Sequence, residues 1–307
     1  MISRRSVLAG IGAGGSIVIT GGVSVGQTAS FTRIVSVGGA ITETLFALGL
    51  GERLLAVDTT STFPVGVHSL PKIGYLRQLS AEGILAMKPD LLLLSSEAGP
   101  AAAVVQLTAA GIPLEKIEVG RSPSGVVAMI EAVGEATGEA VAAQSLSEGV
   151  AEQFDTLAAA LPTGERKSVL LLLAAGSGPL LGAGANTAAS AIIGLGGGAL
   201  VFPDMQGYKA VSLEPVLAAD PDLIVLPSHV AMALGGPEGV AALDVVLRTR
   251  AGIEGQVAII DSHYLMGFGP RAPQAAADFA TLLYPDANIP ILGRDAVPST
   301  LVSLVGA

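Results

Sequence analysis

The sequence predicts an α/β fold of two similar lobes, each with a central, mostly parallel sheet, joined by a long helical connector and enclosing a ligand cleft. Three observations predict it: a segment that recurs 132 residues further on, short apolar runs bounded by glycine and proline, and a breaker-poor stretch between the two copies. At 307 residues, half of them hydrophobic, the chain is long enough for about two domains with sizeable cores.

Residues 1–29 read as an export signal of the twin-arginine type. Ser3-Arg4-Arg5-Ser6-Val7-Leu8 carries the paired arginines, and an uncharged apolar run follows from Val7 to Val25. Small residues place cleavage near Gly26 to Ser30. An uncleaved anchor is the competing reading of so long a run, and the paired arginines and the glycine-rich interior argue against it. Gly10-Ile11-Gly12-Ala13-Gly14-Gly15 has the spacing of a dinucleotide loop, but no strand precedes it.

Loss of Arg4 and Arg5 with that segment takes the formal net charge from −10 to −12. So acidic a body repels nucleic acid and anionic lipid. The chain has no cysteine, which suits an oxidising compartment and excludes a lipid-modified N-terminal cysteine. A periplasmic protein, without stable membrane insertion once the signal is removed, is the expectation.

The N-terminal lobe spans residues 30–121. Arg33–Val37 is an apolar strand, Thr42–Leu48 a helix stopped by Gly49, and Arg53–Val57 a second strand. Then comes the first copy of the repeat, Leu79 to Ser96, which returns as Val211 to Ser228 with nine identities. Chance gives roughly one or two in such a window. In each copy a serine (Ser80, Ser212) caps a short helix, a proline (Pro89, Pro221) ends it, and an aspartate (Asp90, Asp222) turns the chain. Leu91–Leu94 and Leu223–Leu226 follow as strands buried on both faces.

Residues 122–164 form the helical connector. Val126, Met129, Ile130, Val133, Ala136 and Thr137 recur at helical spacing, while Gly134, Gly138 and Gly149 allow more than one helix. The C-terminal lobe, residues 165–286, opens with the apolar strand Ser168–Ala174 and a helix around Thr187–Leu195 before the second copy. Residues 287–307 read as a poorly ordered or surface-lying tail.

With no cysteine, three histidines and four tyrosines, the chain has few groups that hold a metal. Tyr75, in Lys72-Ile73-Gly74-Tyr75-Leu76-Arg77-Gln78, is the most informative of them. A phenolate is a hard donor suited to ferric iron, haem iron included, and Arg77 is placed to steady its charge. The alternative is a loop tyrosine packed on a pocket wall. A second Gly-Tyr pair, Gly207-Tyr208, precedes Ser212 as Gly74-Tyr75 precedes Ser80, with one residue fewer between.

Strand, repeat, connector and second repeat together resemble the periplasmic binding proteins that serve iron-chelate, haem and cobalamin importers, over about residues 31–285. The likeness is strongest to haem-binding members, through Arg33–Gly39, Pro71–Ile84, Tyr208-Lys209 and Met266-Gly267-Phe268-Gly269-Pro270-Arg271. The resemblance implies that haem (ferric protoporphyrin IX) is the transported ligand and that Tyr75 is its iron ligand. Arg77 becomes the partner of the phenolate or of a propionate, Tyr208 flanks the porphyrin from the facing wall, and Arg271 meets a propionate. His263 is a weaker candidate, read as a satisfied or exposed histidine at a strand end. Some relatives carry a histidine after the strand that opens the second lobe and hold an extra haem; Leu173-Ala174-Ala175-Gly176-Ser177-Gly178 has none, so one haem is expected here.

Glu82 and Glu214, at equivalent repeat positions, correspond to the acids that dock on an ABC transporter permease with its ATPase subunit. Independently of that role, an acid in a helix's first turn stabilises the positive helix end. The partner set is then haem and the permease, for a monomer that binds no nucleic acid. A ferric siderophore or cobalamin carrier on the same scaffold is the alternative. An enzyme is disfavoured, because Gly182-Ala183-Gly184-Ala185-Asn186-Thr187 lacks the third glycine of a dinucleotide loop and no nucleophile elbow, metal cluster or Walker loop is present.

Overall fold

Two sheets, one per lobe, organise the chain in the computed structural model, which describes residues 31–174 and 178–293 and the backbone of Val302–Leu304. The export signal expected over residues 1–29 lies outside the described residues. In the N-terminal lobe the order along the chain is β1 (Ile34–Val37), α1 (Gly39–Ala47), β2 (Leu54–Val57), α2 (Ala81–Ala86), β3 (Leu91–Ser95), α3 (Ala101–Ala109) and β4 (Leu114–Ile117). These strands form a wholly parallel sheet in the order β2-β1-β3-β4. Every residue of β1 and β3 is buried, as expected of strands with layers on both faces.

The connector is two helices, α4 (Pro123–Thr137) and α5 (Ala140–Ala160). Ser122 caps α4 by accepting the Gly125 N–H, with Pro123 in the first turn, where no N–H is needed. Gly138, left-handed at φ 79°, ends it. The helices then run antiparallel: Ala143 lies over Gly134, and the Ser147 hydroxyl donates to Glu131 at 3.3 Å. A Cβ on Gly134 would stand 2.1 Å from that of Ala143, so this glycine serves close helix packing. α4 packs against α1 of the first lobe.

The C-terminal lobe continues with β5 (Ser168–Ala174), β6 (Leu180–Ala183), α6 (Ala188–Leu195), β7 (Ala199–Leu200), β8 (Tyr208–Ala210), α7 (Leu213–Ala219) and β9 (Leu223–Pro227). Short helices follow, α8 (Ser228–Ala233), α9 (Gly236–Ala241), α10 (Asp244–Arg248) and α11 (Arg250–Ile253), then β10 (Val257–Ile260), α12 (Ser262–Met266), α13 (Ala272–Leu283) and β11 (Val302–Leu304). The strand order is β11-β10-β9-β5-β6-β8, with β7 beside β5. The centre of this sheet is parallel, and β6, β8 and β11 are antiparallel to their neighbours. α5 packs on α13 of this lobe, so each connector helix is seated on a different lobe.

The repeat takes the same structure twice, as α2–β3 and α7–β9. Ser80 accepts the Gly83 N–H, whereas Ser212 holds the same cap position without a side-chain bond. The turn expected at Asp90 and Asp222 falls two residues earlier, at Lys88 (φ 52°) and Asp220 (φ 41°). The aspartates instead pin the leading strand of their lobe. Asp90 accepts the N–H groups of Thr32 and Arg33, each at 2.9 Å, and Asp222 accepts the Ser168 N–H at 2.7 Å and its hydroxyl at 2.9 Å.

The described part of the expected tail, residues 287–293, holds no buried residue and lies along the surface of the body. Ile289 and Leu292 pack against the core, and Val302–Leu304 pairs antiparallel with β10, covering an edge of the sheet. Residues 294–301 and 305–307 lie outside the described residues.

Candidate ligand cleft

The carboxyl ends of the strands in both lobes open on one cleft of about 450 Å³, a volume suited to a small-molecule ligand. Gly38 follows β1, Ser95 ends β3, and Arg121 lies beyond β4; from the other lobe come Thr187, Tyr208 and Met266. The first helix of each lobe, α1 and α6, starts at the cleft and turns its positive end toward it. Thr187 and Ser190 close a capping box on α6, which fixes that helix start.

Beneath the N-terminal wall lies a buried polar network. Asp58, 0% exposed, accepts the N–H groups of Gly38 at 2.8 Å and Thr60 at 2.9 Å and the Ser61 hydroxyl at 2.9 Å. The amine of Lys72 donates to the Ser61 carbonyl at 2.8 Å. Burial lowers the pKa of that lysine, opposed by the charge of Asp58. The network fixes the Gly38 and Thr60 loops that line the cleft.

Tyr75 stands at the rim of this wall, 39% exposed, next to the lining residues Leu76 and Arg77. Gly74, at φ 98°, makes the turn that presents it, and the Gly74 carbonyl accepts the Thr59 N–H at 2.9 Å. The Arg77 guanidinium donates to the Tyr75 oxygen at 2.7 Å. Its second amino group donates to Glu97, whose other oxygen accepts from Arg121 at 2.7 Å. Burial works against the Arg77 charge, but the hydrogen bond that it donates to Tyr75 and the charge of Glu97 hold its pKa above the ordinary arginine value. A chain of side chains, Tyr75–Arg77–Glu97–Arg121, therefore runs along one wall.

Tyr208 lines the opposite wall at the start of β8, half-buried, after Gly207 in the left-handed region at φ 71°. Leu76, Val119, Met266 and Phe268 add apolar surface to the same cleft. One side of the cleft thus carries paired arginines, and apolar and aromatic groups complete it.

Arg271 is placed differently from the expectation. It does not line the cleft; its backbone N–H and guanidinium both donate to Glu43 of α1, at 3.0 and 2.8 Å, and its guanidinium lies 3.4 Å from the Phe63 ring centroid. That site is nearly closed to water, so the arginine is occupied within the protein. His263 also differs: it sits in the first turn of α12, largely covered with 12% of its side chain exposed, its ring packed on Gly39 and Gly267. Its Nε2 faces Glu43 at 3.7 Å without a hydrogen bond. Desolvation lowers its pKa, with Glu43 opposing and Arg271 adding to the shift.

Glu82 and Glu214 are exposed in the first turns of α2 and α7, outside the cleft. The sequence reading missed Glu43, Glu97 and Arg121. Glu97 had one local signal, its position just after the apolar strand β3, where clefts of α/β folds collect polar groups, whereas Arg121 follows the half-polar strand β4 and had none. Among the described residues no group of three or more His, Cys, Asp or Glu is arranged to hold a metal, and no helix is long and apolar enough to cross a membrane.

Two α/β lobes around a charged cleft, joined by a packed pair of helices, define a two-lobed ligand-binding protein. The chain matches the family model described as Periplasmic binding protein over residues 34–264, and it belongs to that family. A similar solved structure is the periplasmic heme-binding protein BhuT in complex with two hemes, with a TM-score of 0.77 and 34% identity over 83% of this chain and 98% of that one. The uncharacterized ABC transporter substrate-binding lipoprotein YvrC of Bacillus subtilis (strain 168) is 28% identical over 260 residues, 83% of this chain and 80% of its own. The vitamin B12-binding protein of Yersinia pestis (strain Pestoides F) is 27% identical over 195 residues, 63% and 69% of the two chains.

Proposed function

We propose that this protein captures one haem in the interlobe cleft, with Tyr75 as iron ligand, and delivers it to an ABC permease. The observation that carries the reading is the Tyr75 hydroxyl held at 2.7 Å by Arg77 on the rim of a cleft wide enough for a small molecule. A guanidinium at that distance stabilises a phenolate-type oxygen, the form that binds ferric iron. Leu76, Val119, Met266 and Phe268 suit a porphyrin face, and Tyr208 flanks it from the C-terminal lobe. The likeness to BhuT supports the same ligand class.

In this reading residues 1–29 direct export by the twin-arginine route, and Glu82 and Glu214 dock the loaded protein on the permease. The protein acts by binding and handing over, without catalysis. A second reading, cobalamin as ligand, is favoured by the vitamin B12-binding relative. Titration of the purified protein with hemin and, separately, with cyanocobalamin tests the two. A saturable Soret shift at one hemin per chain, with no cobalamin binding, is the expected result; cobalamin binding without a Soret shift overturns the haem reading.

A further inference from the structure

We propose that Arg121 is the anchor for a ligand carboxylate and that Glu97 is the internal carboxylate that occupies it until the ligand arrives. This inference deepens the haem reading and rests on it.

Glu97 bridges two guanidiniums on the wall of the cleft, with one oxygen toward Arg77 and the other toward Arg121 at 2.7 Å. The two arginines differ in how fully they are committed. Arg77 also donates to Tyr75, so its fork is shared between two partners. Arg121 has Glu97 as its partner among the described residues. It is therefore the guanidinium whose present bond can be exchanged for another carboxylate without breaking the direct Arg77–Tyr75 bond.

The exchange is energetically accessible. The Arg121 and Glu97 side chains are 42% and 40% exposed, and ion pairs in contact with water are weak. The backbone of Glu97 is held by its N–H bond to the Ser95 hydroxyl at 3.2 Å, so only its carboxylate need swing aside. Charge points the same way, because two guanidiniums and one carboxylate leave a net positive wall that favours an anionic ligand. Position does too. Arg121 is three hydrogen-bonded links along the wall from Tyr75, as suits a ligand with iron at its centre and carboxylates at its edge.

The test compares hemin with hemin dimethyl ester, which lacks free carboxylates, on the wild type, Arg121→Gln and Glu97→Gln. Arg121→Gln is expected to weaken hemin about tenfold and to leave the ester unchanged. Glu97→Gln is expected to tighten hemin several-fold at low salt, to lose that gain at high salt, and to leave the ester unchanged. Arg121→Lys should recover part of the loss. Equal losses for both ligands, no loss in Arg121→Gln, or weaker hemin binding in Glu97→Gln each overturn the inference while leaving Tyr75 ligation intact. A wild type that binds no hemin defeats the haem reading and this inference together.

Discussion

Arg271 crosses the lobe boundary to Glu43, donating its backbone N–H at 3.0 Å and its guanidinium at 2.8 Å to one buried carboxylate. The side chains are 13% and 5% exposed, and Phe63 of the N-terminal lobe covers the guanidinium face. The lobes are thus tied by a buried contact outside the cleft lining, and opening is restricted to what this contact and the paired connector helices allow.

Removing one member of that pair strands the other charge in a dry site. Glu43→Ala is expected to lower unfolding free energy by about 3–5 kcal/mol, and a Glu43→Leu, Arg271→Met double variant to lose much less. Urea unfolding of the three proteins checks this. A single variant within about 1 kcal/mol of wild type would mean that the contact behaves as a surface pair.

Acid should weaken the fold in two windows. His263 is largely covered, with its pKa lowered by desolvation, and Glu43, Arg271, Asp261 and Asp58 act on it through their charges. The unfolded chain then takes up a proton first, so stability falls as pH drops below about 6.5 and continues to fall until the lower folded value is passed. Burial alone would raise the pKa of Asp90 and Asp222, but hydrogen bonds from Thr32 and Arg33, and from Arg250 and Ser168, outweigh it and lower both. Their contribution is complete above about 3.9 and is lost as pH falls through the folded values. Urea midpoints between pH 7.5 and 5.5 should decline in wild type and flatten in His263→Gln. An unchanged slope in that variant contradicts the assignment.

How much of this was legible depended on whether the signal was local. The repeat was, because a strand buried on both faces must be written as a run such as Leu91–Leu94, and a capped helix before it leaves Ser80 and Pro89 in place. The role of Asp90 was misread, since an aspartate after a proline looks like a turn residue and its partners Thr32 and Arg33 lie more than fifty residues away in sequence. Arg271 was assigned to the ligand because Glu43, its partner, is 228 residues distant and an arginine after a glycine-rich turn looks free. Glu97 and Arg121 were missed for the same reason, since their pairing exists only once β3 and β4 are adjacent.

The connector depends on a residue with no side chain. Gly134→Ala would push a methyl against Ala143, which the ideal geometry places 2.1 Å away. Such overpacking is expected to cost about 1–3 kcal/mol, read as a lower thermal midpoint. A midpoint equal to wild type would show that the two helices separate without strain.

Glu82 and Glu214 are exposed and lie outside the cleft, so their charge can be reversed without touching the ligand. Glu82→Arg with Glu214→Arg is expected to leave hemin affinity unchanged and to abolish stimulation of the reconstituted permease's ATPase. Full stimulation by the double variant removes them from the docking surface.

Tyr75 is tested most directly by hemin titration of the wild type, Tyr75→Phe and Tyr75→Ala, following the Soret and ferric charge-transfer bands. Loss of the phenolate oxygen should remove the tyrosinate charge-transfer signature in both variants and weaken hemin by more than about tenfold. Unchanged bands and affinity in Tyr75→Phe would contradict iron ligation by this residue.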